Sequence, residues 1–220
     1  MVLYHGSKDR IPKPLFGVGN PRNDYGLGFY CTQNQELAFE WGCSSGGKGF
    51  VNQYKLEEEG LSFLNLSDYS ILYWITVLLQ NRTFFLKNEI AEAGKDFLLS
   101  HFSLDLKAYD VIRGYRADDS YFAFAEAFLN NAISVQRLSQ AMHLGDLGEQ
   151  IVIMSKKGFA HLHFENAIPI KTDLYYHLRV LREGYARRCF LKNKPGDPIE
   201  DPLYLSDVMK GIDPNDPRLF

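Results

Sequence analysis

Two short segments near the beginning of the chain carry the side chains best suited to chemistry. Residues 2–7 (VLYHGS) form an apolar run that presents His5 and stops at glycine and serine. Residues 24–30 (DYGLGFY) place Tyr30 after two glycines, which let a backbone turn or be approached closely. A histidine and a tyrosine on neighbouring strands suit a ligand that has a ribose to hydrogen-bond and a flat ring to stack.

A third segment, residues 149–153 (EQIVI), supplies polar groups at the head of a predicted strand. Adjacent strand residues face opposite sides, so Glu149 and Gln150 cannot both point into one cleft. A glutamate there would carry a negative charge able to stabilise an oxocarbenium-like transition state. A glutamine would accept a hydrogen bond from a ribose without that charge. The sequence leaves both residues open.

Each segment also has a purely structural interpretation. His5 fits a strand end with a satisfied imidazole, and residues 26–30 fit a tight turn that feeds a buried strand. Glu149 fits the plain beginning of a strand. No segment points to a site by itself, and only the ordered set of three favours one.

The ordered set resembles the histidine–tyrosine–glutamate branch of the ADP-ribosyltransferase superfamily, which includes diphtheria toxin and the poly(ADP-ribose) polymerases. The segment at residues 3–7 is similar to its first motif, residues 26–30 to its Gly-x-Gly-Ile-Tyr strand, and residues 149–153 to its Glu-Tyr-Ile-Val-Tyr strand. In that branch the tyrosine stacks on nicotinamide and the glutamate polarises the nicotinamide ribose. Matching on Glu-x-Ile-Val assigns the glutamate's role to Glu149.

An uncharacterised bacterial family within the same superfamily is more similar still. Its motifs match residues 24–32, residues 51–54 (VNQY) and residues 109–119 (YDVIRGYRADD), and the similarity covers roughly residues 1–170. In that family the last strand usually begins with glutamine, which favours Gln150 over Glu149.

The resemblance implies an NAD-dependent ADP-ribosyltransferase that uses NAD as co-substrate and modifies an unidentified protein or nucleic-acid acceptor. Its implied catalytic residues are Glu149, Gln150 and Tyr30, and no metal is needed. The implied NAD-binding residues are His5, Gly6, Ser7, Asp24, Gly28, Tyr30 and Asp119. Two alternatives stay open, a catalytically inactive module that binds ADP-ribose or NAD, and an NAD glycohydrolase. The family also suggests a toxin component held in check by an antitoxin-like protein partner.

The amino-acid composition indicates which broad class of protein this chain belongs to. The 220 residues are 45% hydrophobic and 23% charged, with a formal net charge of −3, as expected of a globular chain without a global basic field for nucleic acid. The three cysteines have no paired spacing, and with no signal peptide expected they indicate a reducing cytoplasm. The longest apolar stretch, residues 71–79, is too short to span a bilayer, so no membrane association is expected.

Strand and helix patterns alternate without a regular βαβ rhythm, which predicts an α+β fold, and the resemblance implies a split β-sheet core with peripheral helices. No Gly-x-Gly-x-x-Gly joins a strand to a helix, which excludes a Rossmann site. Ser67 and Asp68 are expected to cap a helix over residues 68–80. We expect one domain over residues 1–190, followed by an extended proline-rich arm over residues 191–220.

Overall fold

The computed structural model describes residues 1–43, 47–117, 119–142, 149–192, 199–213 and 216–220. The strands are β1 (Val2–Ser7), β2 (Phe29–Cys31), β3 (Phe50–Leu56), β4 (Phe63–Asn65), β5 (Val111–Tyr115), β6 (Glu149–Ile153) and β7 (Leu162–Pro169). The helices are α1 (Gln35–Trp41), α2 (Ile71–Asn81), α3 (Glu89–His101), α4 (Asp119–Leu129), α5 (Val135–Met142), α6 (Lys156–Ala160), α7 (Thr172–Lys192) and α8 (Leu205–Val208).

The strands form two separate sheets, which confirms the predicted α+β class. One sheet has the order β1-β3-β7 and is antiparallel throughout. The other has the order β2-β6-β5-β4, with β4 and β5 parallel and the other pairs antiparallel. Because β1 and β2 lie in different sheets, the histidine and tyrosine segments reach the site from two sides.

A small apolar core and one bridge hold the two sheets together. Tyr4 and Thr32 exchange backbone hydrogen bonds of 2.8 and 2.9 Å, and this bridge links the middle of β1 to the residue after β2. Buried side chains from both sheets pack between them: Leu3, Cys31, Tyr54, Leu56, Val111, Ile151, Ile153 and Leu162. Burying this apolar surface fixes the angle at which the sheets diverge.

A larger core lies on the helical side of the four-stranded sheet. Trp74 of α2 and Phe128 of α4 are fully buried there. The chain beyond residue 199 contributes to the same core, because Leu205, Val208 and Leu219 are fully buried in it. The described part of the predicted arm therefore packs on the domain.

The expected cap at Ser67 and Asp68 is wrong. These residues form a short 3-10 turn, Leu66–Asp68, in which the Asn65 side chain accepts the backbone amide of Ser67. Asp68 accepts a hydrogen bond from the Asn65 side chain, so its carboxylate is used inside the turn. Helix α2 begins three residues later, at Ile71.

Within the described residues, no helix is long and apolar enough to cross a membrane.

Candidate functional site

A cavity of about 450 Å³ opens where the two sheets diverge. This volume is within the range of small-molecule sites. Its lining comes from both sheets, the glycine-rich loop, two helices and the segments that follow α2 and β5: His5, Gly6, Asn23, Asp24, Tyr30, Trp41, Arg82, Arg116, Ala117, Gln150 and Arg179. The three segments singled out in the sequence therefore meet at one place.

His5 is held as a neutral acceptor at the junction of the sheets. Its Nδ1 lies 2.7 Å from the carbonyl oxygen of Tyr30, so Nδ1 carries the proton and donates it. Phe29 stacks on the imidazole with ring centroids 4.4 Å apart. Burial lowers the pKa of His5, partly opposed by the hydrogen bond to Tyr30, and Nε2 is left as the acceptor of the neutral ring.

Tyr30 lines the cavity and uses its hydroxyl to fix the preceding loop. The hydroxyl donates to the carbonyl of Gly26 at 2.6 Å and accepts the backbone amide of Tyr25 at 3.1 Å. Burial raises the pKa of Tyr30, so the phenol stays protonated near neutral pH. Because the hydroxyl is committed to the backbone, the ring is the part of Tyr30 that can serve a ligand.

Strand alternation in β6 places Gln150 at the cavity and Glu149 on the opposite face. Gln150 is 4% exposed, and its amide nitrogen donates to Asp24 at 3.0 Å and to the carbonyl of Tyr115 at 3.3 Å. Glu149 forms an ion pair with Arg113 and accepts the hydroxyl of Ser67 at 3.0 Å. Of the two residues that the sequence left open, Gln150 is the one that lines the cavity.

Asp24 is a buried carboxylate at the centre of this wall. One oxygen pairs with Arg82 at 2.6 Å, and the other accepts the amide of Ala117 at 2.9 Å as well as the Gln150 amide. These donors compensate the burial of a charge, which is otherwise costly. The backbone amide that Asp24 accepts belongs to the segment after β5 and not to the glycine turn that follows Asp24 in the sequence.

Among the described residues, three arginines line the cavity, and no sequence motif indicated them as a group. Arg82 follows α2, Arg116 follows β5, and Arg179 lies on α7. The guanidinium of Arg116 lies over the Trp41 ring at 5.0 Å. Arginines from three distant segments carry no local motif, so only the folded chain brings them together. Guanidinium groups bind phosphates and carboxylates with directed hydrogen bonds.

Helix α7 is anchored beside the cavity by contacts with α1. Arg182 forms a 2.6 Å ion pair with Glu40, whose side chain is 4% exposed, and Tyr175 stacks on Phe39 at 4.6 Å. Burial raises the pKa of Glu40, and the nearby arginines, Arg182 foremost, oppose that shift. These contacts place Arg179 at the cavity.

Other predicted site residues have different placements. Gly6 lines the cavity, and a side chain there would collide with the carbonyl of Ala38, 2.0 Å from an ideal Cβ. The Ser7 hydroxyl donates to the carbonyl of Asp9 at 2.6 Å and is not among the lining residues described. Gly28 packs against β6, where a Cβ would lie 2.5 Å from Val152. Asp119 begins α4, but its side chain lies outside the described part of the structure.

The site offers a histidine acceptor, an aromatic face, an amide, a buried carboxylate and a set of guanidinium groups, of which that of Arg82 pairs with the carboxylate. Among the described residues, no group of three or more His, Cys, Asp or Glu side chains could hold a metal ion. The arrangement can bind a ligand that has a flat ring, hydroxyl groups and phosphates.

Comparison with known proteins gives one match. The model of a family described as "Protein of unknown function (DUF3990)" matches residues 1–164, which include every described cavity-lining residue except Arg179. No curated protein and no solved structure matches the chain. The matched region spans most of the sequence, so the chain belongs to the DUF3990 family of proteins of unknown function.

Proposed function

We propose that this protein binds NAD in the cavity and transfers its ADP-ribose group to a macromolecular acceptor. The observation that carries the proposal is the convergence of His5, Tyr30 and Gln150, from three strands of two sheets, on one cavity. The resemblance of the three segments to the ADP-ribosyltransferase superfamily supports the same activity. In this arrangement Nε2 of His5 accepts a ribose hydroxyl and the Tyr30 ring stacks on nicotinamide.

The charges along the cavity complement those of NAD. The ligand carries two negative phosphates and one positive nicotinamide ring, and the described lining carries three arginines and one carboxylate. We assign the phosphates to Arg116 and Arg179, while Arg82 pairs with Asp24. The nicotinamide end then lies toward Tyr30 and Gln150.

The reaction breaks the bond between the ribose carbon and the nicotinamide nitrogen. The bonding electrons pass to the ring, which leaves as neutral nicotinamide, and the positive charge moves to the ribose. A nucleophile of the acceptor then bonds to that carbon and releases its proton. With water as the nucleophile, the same steps make the protein an NAD glycohydrolase.

A binding module without turnover is the second candidate, and the state of Gln150 favours it. Both hydrogens of its amide nitrogen are directed at protein acceptors, Asp24 and the Tyr115 carbonyl. An amide oxygen can accept a ribose hydroxyl but carries no charge to stabilise the transition state. Turnover by this protein should therefore be slow compared with that of a glutamate enzyme.

Calorimetric titration with NAD, followed by measurement of nicotinamide release with and without cell lysate, tests the proposal. Binding with lysate-dependent release supports a transferase, release without lysate supports a glycohydrolase, and binding alone supports the binding module. Glu149→Gln is the matched control for Gln150→Ala because Glu149 lies on the other face of the same strand. Failure of the wild-type protein to bind NAD would refute all three.

We further propose that the acceptor is in the cytoplasm and that expression is toxic unless a protein partner binds. The buried thiols of Cys31 and Cys43 are free, as in a reducing compartment. Helix α7, with five basic and two acidic residues, exposes Leu174, Leu178 and Leu181 and is the surface we assign to an acidic antitoxin-like partner. Growth arrest on expression of the wild type, relieved by Gln150→Ala but not by Glu149→Gln, is the expected result.

A further inference from the structure

We infer that Asp24, and not a residue of β6, supplies the negative charge that this site directs at its ligand's cation. The inference rests on the proposed function, because it concerns the nicotinamide end of the same cavity. Asp24 is the one carboxylate among the described residues that line the cavity. Glu149 is excluded from that role by its position, because it lies on the opposite face of the sheet, where it contacts Arg113, and is not among the described lining residues.

Gln150 and Asp24 form a single polar unit. The Gln150 amide nitrogen lies 3.0 Å from Oδ2 of Asp24, and the second acceptor of that nitrogen is the Tyr115 carbonyl at 3.3 Å. With two acceptors facing the nitrogen, the amide oxygen is directed away from them. Within the described residues, no hydrogen bond is made to that oxygen. The carboxylate therefore fixes the orientation of Gln150 and places a charge directly behind it.

Hydrogen-bond donors around Asp24 hold its buried carboxylate in a fixed orientation. Its side chain is 8% exposed, and Arg82 binds Oδ1 while the Ala117 amide and Gln150 bind Oδ2. Arg82 offsets part of the charge at Oδ1, whereas Oδ2, the oxygen beside Gln150, is bound by the neutral amides of Ala117 and Gln150. A charge in a poorly solvated wall acts more strongly on a nearby cation than a charge in water does. Asp24 is thus a positioning residue for Gln150 and the source of the electrostatic field at the nicotinamide end.

The variant Gln150→Glu distinguishes this assignment from a site that has merely lost the glutamate of related enzymes. Introducing a carboxylate by Gln150→Glu would put two like charges about 3.0 Å apart, the present distance between Gln150 and Asp24. Like charges this close disfavour each other's ionised form. Gln150→Glu alone should therefore not raise turnover. Asp24→Asn combined with Gln150→Glu moves the carboxylate from residue 24 to residue 150 and should support turnover.

The decisive measurement is the ratio of affinities for NAD+ and NADH, which differ in the charge of the nicotinamide ring. We expect the wild type to prefer NAD+ by roughly tenfold, the effect of one charge-assisted contact. Asp24→Asn should bring the ratio close to one, and Asp24→Asn/Gln150→Glu should restore the preference. Glu149→Gln serves as the control and should leave the wild-type ratio unchanged.

The outcomes are distinguishable from failure of the proposed function. If the wild type binds neither dinucleotide, both the proposed function and this inference fall. If Asp24→Asn binds NAD with the wild-type preference, or Gln150→Glu alone speeds nicotinamide release, only this inference falls. If Asp24→Asn does not fold once its pairing with Arg82 is lost, Asp24→Asn/Arg82→Gln, which leaves no unpaired buried charge, decides: a ratio close to one supports the inference and the wild-type preference for NAD+ overturns it.

Discussion

The imidazole of His5 donates a hydrogen bond to the backbone carbonyl of Tyr30 across the boundary between the two sheets. The distance from Nδ1 to the carbonyl oxygen is 2.7 Å. This contact makes the histidine both a part of the cavity wall and a tie between β1 and β2. The structural and functional interpretations of His5 are therefore compatible, because Nδ1 serves the fold and Nε2 remains for a ligand.

The buried imidazole should make stability depend on pH. Because burial lowers the pKa of His5 in the folded state, the unfolded chain binds the proton more readily. Its stability contribution is fully present above the unfolded pKa of about 6.5 and is lost as the pH falls below that value toward the folded pKa. The urea concentration at the midpoint of unfolding should therefore decrease as the pH is lowered from about 7.5 to about 5.5.

His5→Asn is the matched variant for this prediction. Its side-chain amide can still donate to the Tyr30 carbonyl but does not titrate, so the pH dependence should be flatter than in the wild type. An equally steep pH dependence in both proteins would assign it to other groups.

Removing the Tyr30 hydroxyl should cost stability more than ligand binding. Tyr30→Phe loses the bonds to Gly26 and Tyr25 that fix the loop, which we expect to lower the free energy of unfolding by about 1–3 kcal/mol. The ring that stacks on nicotinamide is retained, so NAD affinity should change little. Tyr30→Leu removes the ring and should also lose about 1–3 kcal/mol of binding.

Denaturant unfolding and calorimetry on the two variants check both parts. If Tyr30→Phe weakens NAD binding as much as Tyr30→Leu, the hydroxyl and not the ring is the contact.

The sequence predicted the elements of the fold better than the site. The strands that carry His5, Tyr30 and Gln150 were predictable because each is a short aromatic or β-branched run bounded by glycine or a polar residue. Strand alternation predicted that Glu149 and Gln150 would face opposite sides, but which one faced the cavity depended on packing of the whole sheet. Ser67 was misassigned as a helix cap because Asn65 instead caps a short 3-10 turn over Leu66–Asp68, and α2 begins only at Ile71.

The three arginines that line the cavity could not be predicted as a group from the sequence. Arg82, Arg116 and Arg179 come from three elements, and none lies in a motif that indicates anion binding. Gly28 was predicted to contact NAD from its position in a ligand-binding motif, and that stays a prediction. In the fold Gly28 lies immediately before β2, where a Cβ would be 2.5 Å from Val152 of β6.

Gly28→Ala should therefore act on the fold. Its Cβ would lie 2.5 Å from Cγ1 of Val152 and 3.0 Å from the sulfur of Met154, so the strands must shift. Overpacking of this kind typically costs about 1–3 kcal/mol. Adding Val152→Ala removes the closer atom and should recover part of the loss in a urea titration. A stable Gly28→Ala protein with reduced NAD affinity would show that the motif interpretation was right.

Arg179 should contribute to ligand binding although it lies beyond the residues matched by the family. It lines the cavity from α7, and a charge-assisted contact with a phosphate should contribute about 1.5–3 kcal/mol. Arg179→Ala is expected to weaken NAD binding by roughly tenfold or more, less so at high salt because ions screen the contact.

Arg188→Ala is the matched control, since it removes the same charge from an exposed position of the same helix that is not among the cavity-lining residues. Nicotinamide riboside, which has no phosphates, should bind the wild type and Arg179→Ala equally well. Equal loss of NAD affinity in Arg179→Ala and Arg188→Ala would mean that α7 contributes only general positive charge.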